Sequence, residues 1–280
     1  MRFYSGPIVT SITMDVDRGN IAQWNYKKSG DIYQLNYVDA SVARVYVPKM
    51  NGNSILNKSS EHFKDYRTNL TFVDFQYVPV RSNSLYMSFW GAYYIATVRN
   101  INKNVTNMSR CFEWTRTNID VKLPPKVTDL SGLLTNNYMF DRNLVIPNSV
   151  TNMERAFNSC TKLNKSIDIP DSVTQMYGCF LNCTSLNVPI NIGKGAINVS
   201  QAFSWCNNFA STVTIYSTEL KVQNSAFSYT DANKSKTVKI YYEYANGVKT
   251  KTYNSIVVNS KYRWHGSYGV TVANMGKAPW

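Results

Sequence analysis

The feature that most constrains this chain is a short pattern that returns at a nearly fixed interval between Phe89 and Phe227. Val105-Thr106-Asn107-Met108 aligns with Val127-Thr128-Asp129-Leu130, then with Val150-Thr151-Asn152-Met153 and Val173-Thr174-Gln175-Met176. An apolar anchor follows these strings at Phe112, Leu134, Phe157 and Phe180 and recurs at Phe203 and Phe227, so the interval hardly varies. Phe89 extends the series backwards in the same step. A unit this short cannot cover its own apolar face, so it must stack on its neighbours and share a continuous core.

The frame of one unit is clearest around Phe157. Ala156 precedes the anchor and is matched by Cys111, Cys179, Ala202 and Ala226. Cys160 stands three positions after it, matched by Cys183 and Cys206, and Leu163 six after it, matched by Leu186 and Phe209. Ile167 and Ile169 then form an apolar pair at alternate positions, the mark of a short strand with one inward face; Val213 and Ile215 repeat it. Pro147 and Pro170 end their units directly after the strand, where proline stops pairing without breaking a ladder. The Ala-Phe segment, flanked by Asn and Ser, suits a helical turn or an irregular arm. Each unit therefore reads as one arm plus one strand, with strands of successive units roughly 4.8 Å apart.

The string from Val150 to Leu163, followed by Ile167-Asp168-Ile169-Pro170, resembles the BspA-type leucine-rich repeat, whose pattern runs V-x-x-I-x-x-x-A-F-x-x-C-x-x-L and then I-x-I-P. The match is close at Phe157 and Phe180, fair at Phe112 and Phe203, and weak at Leu134, Phe227 and Phe89. The resemblance implies an architecture and says little of chemistry, because a fold does not fix a function. Proteins similar to this family are commonly bacterial surface proteins implicated in adhesion, and similar repeats occur in phage structural proteins.

The flanking segments read as β-rich. Residues 1 to about 80 carry short β-branched and aromatic runs such as Ile8-Val9-Thr10-Ser11-Ile12 and Ala43-Arg44-Val45-Tyr46-Val47. Lys28-Ser29-Gly30-Asp31 and Asn51-Gly52-Asn53-Ser54 are turn candidates, since Gly and Asn tolerate positive φ. Past Phe227, Asn246-Gly247 between the runs 236–242 and 250–253 signals a hairpin. The fold expected is mainly β with short helical arms: an N-terminal lobe over 1–80, a repeat solenoid over 81–232, and a β-hairpin cap with a basic tail over 233–280.

Chemistry is sparse in this sequence. The five cysteines, Cys111, Cys160, Cys179, Cys183 and Cys206, fall into two columns of the repeat, where a small buried side chain packs well, so metal ligation and a cofactor are not expected. His62 and His265 stand at opposite ends of the chain, with no neighbours that complete a nucleophile, base and orienter set. Asp15-x-Asp17 places two acids on one strand face, a candidate acid–base pair for glycoside cleavage that an exposed turn explains equally. No phosphate-binding glycine loop is present: Gly193-Lys194-Gly195 reads as an inter-unit turn. The reading is that the chain is not an enzyme.

Thirty Lys and Arg against seventeen Asp and Glu give a net charge of +13, which draws acidic partners or surfaces. No nucleic-acid module accompanies the charge, so nucleic acid is not the expected partner. No run approaches a membrane span, and the N-terminus lacks the pattern of a secretory signal, so synthesis in a cytoplasm is expected.

One column rises above packing. Two places after the anchor, Asn136, Ser159 and Asn182 share a position with Trp114, Trp205 and Tyr229. A column that accepts Asn and Ser is exposed, so the aromatics there form a contact surface or cover an adjoining arm. The resemblance, taken with the missing secretory signal, the absence of an anchor motif and the Asn-, Lys- and Tyr-rich composition, implies a non-enzymatic bacteriophage virion component of the tail, baseplate or fibre. Its expected partners are other virion proteins, copies of itself and acidic host-wall polymers; a bacterial surface adhesin is the alternative, and a glycan-cleaving enzyme a third.

Overall fold

The structure, a computed structural model, describes residues 19–38, 42–56, 63, 69–216, 225–231, 233–242, 244–245, 248–249 and 270–277. Asp15, Asp17, His62, His265 and the runs 8–14 and 250–253 lie outside the described residues.

The chain winds into a β-solenoid. At its N-terminal end, β1 (Trp24–Ser29) and β2 (Ile32–Val38) form an antiparallel hairpin across Gly30, whose φ of +56° the tight turn requires. Among the described residues all other strand pairings but one are parallel, as strands stacked coil upon coil must be. β3 (Arg44–Tyr46), β5 (Phe72–Asp74), β6 (Thr97–Arg99) and β7 (Asp120–Val121) make one parallel sheet that runs through position 80 without a break. Its register sets Val45, Val73, Val98 and Val121 in a single column. Between them in sequence, β4 (Ser54–Leu56) pairs in parallel with β2, aligning Leu35 with Leu56, and a bridge continues from Leu56 to Val80.

Further along, β8 (Ile190–Ile192), β9 (Thr212–Ile215), β10 (Lys236–Tyr242) and β13 (Val270–Lys277) form a second parallel sheet. Residues 236–242 thus lay one more strand on the solenoid. The hairpin signalled by Asn246-Gly247 is a separate short one, between β11 (Tyr244–Ala245) and β12 (Val248–Lys249).

The arms contain no α-helix among the described residues; they are chains of tight turns. Alternate amides have different partners. Arg110, Phe112 and Trp114 donate N–H groups to the carbonyls of Ser131, Leu133 and Thr135 in the next coil, while Cys111, Glu113 and Thr115 donate back within their own coil to Met108, Arg110 and Phe112. The same alternation recurs at Phe157 and Phe180. Every second amide ties the coil to its neighbour and the rest close its own turns, so the buried backbone is satisfied without helix or regular strand.

The recurring Val-Thr-Asn-Met string now has a cause at each position. Val105, Val127, Val150 and Val173 are buried, as are Met108, Leu130, Met153 and Met176. The threonine hydroxyls form a ladder: Thr128 donates to the Thr106 carbonyl at 3.1 Å and Thr174 to that of Thr151 at 3.2 Å. The Asn or Asp opens the arm by accepting the N–H two places on, at 2.9 Å for both Asn107 and Asp129. Pro124, Pro147 and Pro170 supply the carbonyls that turn the chain into the Val position.

Inside, the anchors Phe112, Leu134, Phe157, Phe180, Phe203 and Phe227 are all buried in one continuous core reaching from Trp24 to Val238. Their rings stack along the axis, at 5.2 Å for Phe89–Phe112, 5.4 Å for Phe157–Phe180, 5.6 Å for Phe180–Phe203 and 5.1 Å for Phe203–Phe227. Phe63 adds a ring the period does not announce, 4.7 Å from Phe89 and within 5° of parallel. Leu134 interrupts the stack, and Phe140 from the same coil turns in to meet Phe157 at 6.1 Å.

Candidate functional site

The five cysteines are free thiols and fully buried. The three that stand three places after the anchor each donate a weak S–H bond to the anchor carbonyl of the coil before: Cys160 to Leu134 at 3.3 Å, Cys183 to Phe157 and Cys206 to Phe180, both at 3.0 Å. Thr115 and Thr230 hold the same position and donate hydroxyls to the carbonyls of Phe112 and Phe227. In these five coils the column holds a small donor; Ala92 and Asn137 occupy it, also buried, in the other two. Burial pushes all five thiols up, Cys206 to about 12, so they stay protonated and unreactive. Among the described residues no group of three or more His, Cys, Asp and Glu could hold a metal ion.

The column two places after the anchor is set by backbone conformation. Gly91, Trp114, Asn136, Ser159, Asn182, Trp205 and Tyr229 all have positive φ, between 57° and 68°. Each is the third residue of a tight turn closed by the hydrogen bond back to the anchor, the position at which a type II turn needs φ above zero. Gly and Asn adopt this conformation readily, whereas Trp and Tyr do so at a cost of order ~1 kcal/mol or more. Three coils accept that cost.

Two of the three aromatics meet. The rings of Trp205 and Tyr229 stack 4.6 Å apart, 17° from parallel, and remain 48% and 58% exposed. Trp114 belongs to a different cluster, half-buried and edge-on to Tyr138 at 6.3 Å. Beside it the Arg116 guanidinium lies 4.2 Å over the Tyr93 ring. One edge of the solenoid thus carries aromatics at both ends, separated by coils whose column holds Asn136, Ser159 and Asn182. Tyr138 and Tyr93, four places after their anchors, were not marked by the period, because the later coils fill that position with Thr161, Thr184 and Asn207.

Stacked parallel coils, each one sequence period long, with a filled core and surface columns, define this chain as a repeat-solenoid protein. A family model described as Mycoplasma protein of unknown function, DUF285, matches residues 97–216 and, in an overlapping placement, 128–240. Together these placements span just over half of the chain, which belongs to that family. No curated protein and no solved structure is similar enough to this chain to add to that. No helix among the described residues is long and apolar enough to cross a membrane.

Proposed function

We propose that this chain is a non-enzymatic structural and attachment protein, a scaffold that presents the edge bearing Trp205 and Tyr229 to a macromolecular partner. The observation that carries this reading is the exposed stack of those two rings in left-handed backbone positions. Large apolar rings held half in water, at a conformational cost, serve contact rather than folding.

The setting we infer is the tail, baseplate or fibre of a bacteriophage virion, with other virion proteins or further copies of this chain as partners and acidic host-wall polymers drawn by the basic surface. A second setting is the surface of a bacterium; the matching family model describes proteins of a bacterium, Mycoplasma, and assigns them no function. Mass spectrometry of purified phage particles, set beside protease shaving of intact cells, separates the two. Recovery from particles supports the virion, and release from intact cells supports the surface. A protein found in neither, and monomeric in their presence, defeats the attachment reading. For the absence of catalysis, the check is incubation with host wall or capsule: release of soluble sugar that is lost on Asp15→Asn or Asp17→Asn would make the chain an enzyme.

A further inference from the structure

A groove of about 460 Å³ lies where the chain leaves β6 and β7, on a different part of the surface from the aromatic pair. Arg99, Lys103 and Lys122 line it, all three exposed and none in an ion pair among the described residues. The carboxylate nearest in register to Arg99, that of Asp74, is already engaged by the Asn100 amide at 2.9 and 3.1 Å and by the Gln76 N–H at 2.8 Å. The floor is apolar, formed by buried Leu123 and Pro124. Tyr77 forms a wall, 61% exposed, on a backbone of φ +61°. Its N–H donates to the Asn100 carbonyl at 2.8 Å and its carbonyl accepts from the Asn102 amide at 2.6 Å, so its backbone is fixed before any ligand arrives. Asp120 is the one acid in the lining.

We propose that this groove binds an acidic saccharide, a chain of sugar units bearing carboxylates. Three unpaired cations over a small apolar floor call for an anion that also has an apolar face. A pyranose ring laid against Tyr77 supplies that face, and its carboxylate reaches Arg99, Lys103 or Lys122. Asp120 separates this ligand from a phosphodiester. Sugar hydroxyls can donate to its carboxylate, whereas the oxygens of a phosphodiester backbone only accept and gain nothing from it. A single exposed ring also falls short of the row of stacking platforms that single-stranded nucleic acid uses. The proposal rests on the attachment reading and gives its anionic polymer a place.

The test is titration of the full-length chain with an oligogalacturonate, with an uncharged malto-oligosaccharide of equal length and with a single-stranded oligonucleotide. The oligogalacturonate is expected to bind, to weaken as salt rises, and to lose roughly tenfold or more in affinity in Arg99→Ala/Lys122→Ala and in Tyr77→Asn, the latter keeping a residue suited to positive φ. Melting temperatures of these surface variants are expected to stay at the wild-type value. Absence of oligogalacturonate binding overturns the proposal, as does binding that the variants leave unchanged or equal affinity for the uncharged sugar. Tighter binding of the oligonucleotide overturns it in favour of nucleic acid. Trp205→Asn/Tyr229→Asn keeps its oligogalacturonate affinity under this account, so failure here leaves the test of the aromatic pair intact.

Discussion

The rings of Phe157 and Phe180 lie 5.4 Å apart and within 5° of parallel, each fully buried, although they belong to successive coils and are far apart in sequence. That contact is the repeat expressed in space: one coil's anchor rests on the next, and the stack runs on through Phe203 to Phe227.

Truncation within the stack is therefore costly. Phe180→Ala removes contacts to two rings and leaves a cavity between coils, for a loss of about 3–5 kcal/mol. Phe180→Leu places there the side chain that Leu134 already uses, and about 1–2 kcal/mol is expected. Urea unfolding of the two variants checks the order; equal losses would mean that the ring stack adds nothing beyond bulk.

Gly195 is required for space. A Cβ there would stand 2.2 Å from the carbonyl oxygen of Asp171 in the preceding coil, and nothing in that backbone can yield cheaply. Gly195→Ala should cost several kcal/mol, of the order of a severe core substitution. Gly30, with φ +56° and nothing within 4 Å of its added Cβ, gives the contrast. Gly30→Ala costs only the left-handed conformation, about 1 kcal/mol. Thermal melts of the pair resolve the two causes.

The buried thiols make stability fall in alkali. Their folded pKa values are raised by burial above the ordinary 9.0, so above that pH an unfolded chain releases protons that the folded chain keeps. Unfolding is favoured increasingly as pH rises, by up to about 1.4 kcal/mol per pH unit for each thiol. Denaturant midpoints measured from about pH 8 to about pH 10.5 should drop, and Cys160→Ala/Cys183→Ala/Cys206→Ala should flatten the slope. Near pH 8 a thiol reagent should label the native chain only after denaturant is added. Prompt labelling would contradict the burial of the columns.

The solenoid was legible because each column is written several times over. Substitutions such as Leu134 for Phe do not hide a position whose neighbours agree, and the prolines after the strands mark where each coil closes. Phe63 was not legible: it stands too far ahead of Phe89 to fit the period, and only the folded chain shows its ring on the stack. The column of Trp205 and Tyr229 carried a signal in Gly91, Asn136 and Asn182. Those residues mark positive φ as well as exposure, and it is the backbone conformation that makes the two aromatics costly. The groove around Tyr77 had only a partial signature: Arg99 and Lys122 stand one period apart and share a column, but Tyr77 and Lys103 lie in other columns and meet them only when the coils stack.

The central claim is that Trp205 and Tyr229 are kept for contact and not for folding, and one measurement addresses it: melting temperature and partner binding of Trp205→Asn/Tyr229→Asn, side by side with wild type. Asn is the residue other coils use at this left-handed position, so the variant loses about 0.5–1.5 kcal/mol of ring stacking and recovers a similar amount of backbone strain. The account predicts a melting temperature within a few degrees of wild type, together with loss of attachment or assembly. A marked fall in melting temperature with attachment retained would contradict it and make the pair a packing element of the solenoid.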